Sequence, residues 1–143
     1  MRISRILETK GDAVATISAD APVAEALAEL ARLGIGSLVV SEDGVSVNGI
    51  VSERDVVREL NVAGAEMMAQ PVSSIMSHAV RSCSPEDGID KIMGLMTDLR
   101  VRHLPVVVDG RMIGIVSIGD VVKARIDELE RESRELHEYI GAR

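Results

Sequence analysis

The chain contains two copies of one sequence unit, and this repeat constrains the fold more than any other feature. The segment GIVSERDVV at 49–57 returns as GIVSIGDVV at 114–122, and Asp43-Gly44 returns as Asp109-Gly110. The copies are therefore about 65 positions apart, and a unit of roughly that length is only marginally stable alone because it buries a small share of its surface. We expect the two copies to fold together as one domain.

The residue pattern within each copy predicts the order strand, helix, strand, strand, helix. In the first copy a helix is predicted to begin at Pro22 and end at Gly34, with strands at 14–17, 37–40 and 47–52. In the second copy a helix is predicted from Ser84-Pro85, with strands at 80–83, 104–108 and 112–117. The predicted fold class is α/β (α+β), with two pseudo-symmetric β-α-β-β-α repeats packed through their sheets and a C-terminal helical extension.

Four segments are predicted along the chain: a first repeat with its N-terminal leader at 1–60, a connector at 61–71, a second repeat at 72–123 and a helical extension at 124–143. An alternating four- and three-residue spacing marks an apolar seam near the end, formed by Val122, Ile126, Leu129, Leu136 and Ile140. This seam packs either on its own domain or on a second subunit as a short coiled-coil-like arm, and the sequence leaves both alternatives open.

Composition excludes several classes of protein. The chain has a net charge of −7 and contains no Phe, no Trp and a single Tyr, so it lacks the basic surface and the aromatic platforms of nucleic-acid binders. No apolar run reaches the roughly 20 residues of a membrane span, and the N-terminus has no apolar signal core. The single cysteine, Cys83, cannot form an internal disulfide, which favours a cytoplasmic location.

Ser52-x-x-Asp55 and Ser117-x-x-Asp120 both lie where a predicted strand runs into a predicted helix. The motif allows two interpretations. A serine followed by an acid three residues later is a common helix cap. The same helix N-terminus also offers free N–H groups to a phosphate, while the carboxylate can accept hydrogen bonds from ribose hydroxyls.

These motifs closely resemble a tandem CBS (cystathionine β-synthase) domain pair, also called a Bateman module. Over residues 3–123, the likeness is carried by Gly49-Ile50-Val51-Ser52-x-x-Asp55, Gly114-Ile115-Val116-Ser117-x-x-Asp120 and Arg102-His103-Leu104-Pro105-Val106. The nearest likeness is to small bacterial proteins that consist of the pair alone.

The resemblance implies a non-catalytic regulatory module without a required cofactor. It would bind an adenosine-containing nucleotide such as AMP, ATP or NAD in the cleft between the repeats, and sense energy or redox state for a partner protein. A homodimer is expected, with neither nucleic acid nor membrane as partner. The alternatives are a structural or oligomerisation module without a physiological ligand, and an accessory protein related to the regulatory domain of IMP dehydrogenase.

Carried over by position, the resemblance also implies roles for individual residues. Asp55 and Asp120 would bind ribose, and Ser52 and Ser117 would meet phosphate with help from Thr16 and Ser82. The adenine slot would be lined by Ile50, Val51, Ile115 and Val116, with Leu38, Leu104 and Pro105 as its opposite wall. The candidate phosphate partners are Arg54, Arg100, Arg102 and His103.

The two repeats differ at one part of this pattern. Gly36-Ser37 stands in the first repeat where Arg102-His103 stands in the second, and Gly119 stands in the second where Arg54 stands in the first. The two sites need not be equivalent, and the site of the second repeat is expected to be the better adenine pocket. Catalytic and metal-ligand arrangements are not evident in the spacing of the His, Cys and Ser residues.

Overall fold

The first repeat folds around a three-stranded sheet. In the computed structural model, which describes residues 1–141, helix α1 (Ile3–Lys10) precedes β1 (Thr16–Ile17), α2 (Val23–Leu33), β2 (Ser37–Val40), β3 (Gly49–Ser52) and α3 (Glu53–Ala63). Strand β2 lies in the middle, parallel to β1 and antiparallel to β3. Helix α2 is capped by Pro22 and ends at Gly34 in the left-handed conformation, as predicted.

The second repeat has a two-stranded sheet. Two short 3₁₀ turns (Ala65–Ala69 and Val72–Ser74) lead to α4 (Ile89–Leu99), β4 (His103–Val108), β5 (Arg111–Ser117) and α5 (Ile118–Gly141). The turn between β4 and β5 has positive φ at both Asp109 and Gly110, which is the geometry that a tight hairpin needs. The mixed α+β class and the C-terminal helix are as predicted.

The start of the second repeat differs from its predicted secondary structure. Instead of a strand over 80–83, only Cys83 pairs with β4, in an isolated parallel bridge to Val106. The helix predicted from Ser84-Pro85 begins at Ile89. The reason is tertiary, because the carbonyl groups of Pro85 and Asp87 accept the first free N–H groups of α1 and are thereby held outside a helical turn.

Two strands of the first repeat are shorter than predicted. Strand β1 comprises only Thr16–Ile17, and β3 begins at Gly49 rather than at 47. The loop before β3 is folded around Asp43, whose Oδ1 accepts the N–H groups of Val45 and Ser46 at 2.9 and 2.7 Å. This local turn ends at Ser46, and residues 47–48 link it to the strand without belonging to either.

The core consists of two hydrophobic clusters, and each receives a segment from outside its own repeat. Ile3 and Ile6 of α1 lie in the cluster of the second repeat, which runs on to Ala124. Val72 and Ile75, at the start of the segment assigned to the second repeat, lie in the cluster of the first. The leader that the sequence analysis grouped with the first repeat thus packs on the second.

Helix α5 runs on from Ala124, its last core residue, to Gly141, and only Val121 and Ala124 are buried along it. The seam predicted along it is exposed within the chain, since Ile126, Leu136 and Ile140 are 50%, 58% and 63% accessible. The alternative in which the seam packs on its own domain is therefore wrong for the described residues. The last two residues of the predicted extension, 142–143, lie outside them. None of the helices within 1–141 has the length and hydropathy to cross a bilayer.

Candidate ligand-binding clefts

Each Ser-x-x-Asp motif forms a capping box at the start of a helix. Ser52 Oγ accepts the Asp55 N–H at 3.3 Å, and Asp55 Oδ2 accepts the Ser52 N–H at 2.9 Å. Ser117 and Asp120 make the same two bonds at 3.1 and 2.9 Å. The capping interpretation is confirmed in both repeats. The cap also holds each carboxylate at the positive end of a helix dipole.

A cavity of about 500 Å³ lies beside the first capping box, a size within the range of small-molecule sites. We call it the Asp55 cleft. Both repeats contribute to its wall. The lining residues are Gly36, Ser37, Ile50, Ser52, Glu53, Arg54, Asp55, Arg58, Ser77, Ala79, Val80, Arg81, Leu99, Arg100, Val101, Arg102, His103 and Leu104.

Positive charge is concentrated on the wall of the Asp55 cleft. Arg58 Nη2 donates to Asp55 Oδ1 at 2.8 Å. The side chains of Arg54, Arg81, Arg100 and Arg102 form no hydrogen bond or ion pair within residues 1–141. In a chain of net charge −7, four such guanidinium groups around one cavity favour an anion there.

Arg100 holds its position in an unfavourable backbone conformation. It ends α4 with φ 56° and ψ 40°, whereas the matching residue of the first repeat is Gly34 with φ 64° and ψ 37°. A left-handed conformation costs an L-residue about 1–2 kcal/mol. Glycine stands at this position in the first repeat, so the Arg100 side chain lies at the cavity wall at a cost in backbone energy.

Ser37 is an unsatisfied polar group at the same cavity. The residue is only 6% exposed, and its Oγ has no hydrogen-bond partner. It pairs across the sheet with Ser52 of the capping box. Since a buried hydroxyl without a partner costs free energy, it favours a ligand group that would accept or donate a hydrogen bond.

The second capping box has different surroundings, which we call the Asp120 cleft because they are equivalent in the repeat to the Asp55 cleft, not because a cavity defines them. Lys10 Nζ donates to Asp120 Oδ2 at 2.7 Å and to the backbone carbonyl of Ile115 at 2.9 Å. Partial burial opposes ionisation of Asp120. The hydrogen bonds from Lys10 and from the Ser117 N–H outweigh it and lower the pKa of this carboxyl.

His103 stands between the two clefts. It lines the Asp55 cleft, and a methyl group added at Gly36 would lie 3.6 Å from its Cε1 atom. Burial lowers the pKa of His103, and the nearby Lys10 and Arg102 lower it further against the attraction of Asp120 and Glu53. The imidazole is therefore neutral at neutral pH.

About half of the residues predicted for the site meet at one place. Eight line the Asp55 cleft: Ile50, Ser52, Arg54, Asp55, Arg100, Arg102, His103 and Leu104. Three belong to the Asp120 cleft: Ile115, Ser117 and Asp120. The side chains of Leu38, Val51 and Val116 lie in the hydrophobic clusters, and Pro105 is also buried. Thr16 and Ser82 are exposed outside the cavity wall.

Several residues of the clefts were not predicted. Arg58 could have been found, because it follows Asp55 by one helical turn. Arg81 and Ser37 can be recognised as cleft residues only once the cavity is known. For Lys10 the sequence carries no signal, since its contact with Asp120 spans 110 positions. No group of three or more metal-ligating side chains occurs among residues 1–141.

Most of the chain matches the model of a known protein family. The model of the CBS domain matches twice, over residues 9–62 and 72–127. The mitochondrial CBS domain-containing protein CBSX3 of Arabidopsis thaliana is 36% identical over 146 aligned positions, covering 96% of this chain and 71% of that protein.

Solved structures show the same architecture. A CBS-domain-containing protein from Agrobacterium tumefaciens is 42% identical, with a TM-score of 0.84 over 87% of this chain and 99% of that one. The CBS domain pair of protein MJ0100, solved with 5′-methylthioadenosine and S-adenosyl-L-methionine, has a TM-score of 0.78 over 90% of this chain and 98% of that chain. At 20% identity, this second likeness is one of fold.

Proposed function

The chain belongs to the CBS domain family, and from this membership we propose that it is a regulatory protein that binds a phosphorylated adenosine in the Asp55 cleft. CBS pairs are in general regulatory and non-catalytic modules. Occupation of the cleft would alter the packing of the two repeats and so inform a partner protein of energy or redox state. The lone buried Cys83 supports a reducing compartment such as the cytoplasm.

The observation that carries the proposal is the set of arginines around Asp55. Displacing Arg58 from Asp55 Oδ1 would let the carboxylate accept hydrogen bonds from ribose hydroxyls, while Arg54, Arg100 and Arg102 are available for phosphate oxygens. The same charges disfavour a cationic adenosine derivative such as S-adenosylmethionine. The arginines of this cleft complement the negative charge of AMP, ADP, ATP and NAD.

The adenine ring would be held without aromatic stacking. The apolar lining residues are Ile50, Ala79, Val80, Leu99, Val101 and Leu104, and none of the eighteen is Phe, Tyr or Trp. The buried hydroxyl of Ser37 and the backbone would supply polar contacts. Binding free energy then comes mainly from ribose and phosphate, so the number of phosphates should govern affinity.

The charges favour the Asp55 cleft over the Asp120 cleft, opposite to the preference drawn from the sequence. Positions equivalent to Arg54, Arg81, Arg100 and Arg102 are occupied in the other half of the repeat by Gly119, Ala15, Gly34 and Gly36. Most of the cations that face the first cleft thus have no counterpart at the second.

The proposed assembly is a homodimer. Besides the seam of α5, helix α3 exposes Val57 and Val62 at 66% and 75% accessibility. Exposed apolar side chains on two helices are typical of a surface that another protein covers. Sedimentation equilibrium tests this assembly, and a monomer at micromolar concentration would contradict it.

A thermal-shift experiment tests the ligand class. At a concentration of 100 times its dissociation constant, a ligand of the native state stabilises the protein by about 2.7 kcal/mol. We expect ATP to raise the melting temperature more than AMP at equal concentration, adenosine less than either, and S-adenosylmethionine not at all.

Arg102→Glu should abolish the shift caused by ATP. The matched control is Arg131→Glu, since Arg131 is exposed on α5 far from the cavity wall. If no adenosine compound moves the melting temperature, the binding function is wrong and the structural module remains. A shift with S-adenosylmethionine as large as that with ATP would refute the electrostatic argument.

A further inference from the structure

Lys10 occupies the atoms of the Asp120 cleft that would otherwise meet a ligand. Its ammonium group lies 2.7 Å from Asp120 Oδ2 and 2.9 Å from the carbonyl oxygen of Ile115. A carboxylate at a helix N-terminus and a free strand carbonyl are the acceptors that a ribose hydroxyl and an exocyclic amine would use. One side chain from within the chain thus engages the Ile115 carbonyl and one of the two carboxylate oxygens of Asp120.

Helix α1, which carries Lys10, is fixed in place by its packing, but the Lys10 side chain at its end is not. Ile3 and Ile6 are buried at 0% and 7% accessibility, and Leu7 packs against the backbone at Gly114 on β5. The Lys10 side chain itself is 34% exposed, and its helix ends at Gly11. The ammonium can therefore leave the Asp120 cleft by rotation about side-chain bonds while α1 stays packed.

We propose that Lys10 is an intramolecular competitor of ligand at the Asp120 cleft. Arg58 pairs with Asp55 in the same way, but its side chain is 57% exposed against 34% for Lys10 and is displaced more easily, so the Asp120 cleft is the weaker of two adenosine sites. This inference rests on the proposed function, because it assigns an affinity order to the two clefts of the pair. A ligand entering the Asp120 cleft must displace the two hydrogen bonds of Lys10. Because the ammonium is partly exposed and is rehydrated when it leaves, the net effect corresponds to about a tenfold loss of affinity, less than two such bonds would cost in a buried site.

The direction of the effect separates competition from general electrostatics. Removing a lysine makes the protein more negative and, by long-range repulsion alone, would weaken the binding of an anionic nucleotide. If Lys10 competes, its removal tightens binding at the Asp120 cleft. If it served as a phosphate ligand, its removal would weaken binding there.

The test is a titration of ¹⁵N-labelled protein with AMP, followed by backbone amide shifts. The amides of Ser52 and Asp55 report the first cleft, and those of Ser117 and Asp120 report the second. In the wild type we expect the second pair to respond at about tenfold higher AMP concentration. In Lys10→Met the midpoint of the second pair should fall about tenfold, with that of the first pair unchanged.

Lys91→Met is the matched control. Lys91 also forms an ion pair, with Asp87 at 2.9 Å, and lies on α4 away from both capping boxes. The variant removes the same charge and should leave both midpoints within about twofold of the wild type.

The possible outcomes distinguish the two claims. An unchanged or raised midpoint for Ser117 and Asp120 in Lys10→Met overturns the competition, even where the first cleft binds as proposed. A response confined to the second pair in Lys10→Met supports the competition and refutes binding in the Asp55 cleft. If neither pair of amides moves in any variant, both claims fall.

Discussion

Replacing Arg100 with glycine should make the protein slightly more stable and at the same time a poorer binder. The residue sits at φ 56°, a conformation in which glycine pays no steric penalty. Removal of that penalty raises the free energy of unfolding by about 1.5 kcal/mol, and the greater freedom of glycine in the unfolded chain lowers it by about 0.75 kcal/mol. Loss of a cation near the end of α4 costs about 0.3 kcal/mol.

The net result for Arg100→Gly is a stabilisation of about 0.5 kcal/mol, or roughly 2 °C in melting temperature. Arg100→Ala is the control, because it loses the same guanidinium group and keeps the strained backbone. It should be about 0.3 kcal/mol less stable than the wild type. Both variants should bind ATP about tenfold more weakly, as expected for one lost charge-assisted hydrogen bond.

Urea unfolding measures the free energies, and isothermal titration calorimetry with ATP measures the affinities. A glycine variant less stable than the alanine variant would refute the strain argument. Wild-type affinity in both variants would show that Arg100 does not touch the ligand, and the left-handed backbone would then need another explanation.

Four further outcomes are expected from the packing and the charges. Gly49→Ala should destabilise the fold by about 2–3 kcal/mol in urea unfolding, because the added Cβ would lie 2.9 Å from the backbone oxygen of Ser77. Gly114→Ala should cost less, about 1 kcal/mol, since the atoms it meets belong to a leucine side chain that can rotate; equal losses would contradict this. Burial raises the pKa of the Cys83 thiol to about 12, so native protein should resist iodoacetamide at pH 8 and react only when unfolded. The pKa of His103 is lowered in the fold, so its neutral form stabilises the protein above the unfolded pKa near 6.5. This stabilisation is lost as the pH falls through the folded pKa. A ¹H–¹⁵N titration should find the His103 midpoint below that of a free histidine, and ATP should raise it.

Features that depend on neighbouring residues in the sequence were predicted correctly, and features that depend on distant contacts were not. Strand β2 at Ser37–Val40 has the predicted bounds, because its four-residue segment is apolar or buried throughout and Gly34 ends the preceding helix. The capping boxes were also readable from the spacing of Ser and Asp. The predicted helix start at Ser84-Pro85 was wrong because backbone bonds to α1, about 80 residues earlier in the chain, hold that segment.

The candidate site shows the same division. The residues of the Asp55 cleft that belong to the family motif were named from the sequence, and their roles remain predictions. Ser37 was seen only as a departure from the motif, although its unpaired hydroxyl is a property of the folded wall. Lys10 depends on the packing of α1 against β5, which no local pattern encodes.

Each hydrophobic cluster contains a segment from outside its own repeat, and this sets the order in which the two clusters can form while the chain is synthesised. The first cluster draws its buried residues from positions 17–75, so it can close as soon as that stretch has emerged. Helix α1 must wait for partners that extend to Ala124, an interval of roughly 6–25 s at ordinary rates of translation. During that interval its apolar face is open to chaperones, and the contact between Lys10 and Asp120 can form only after most of the chain has been synthesised.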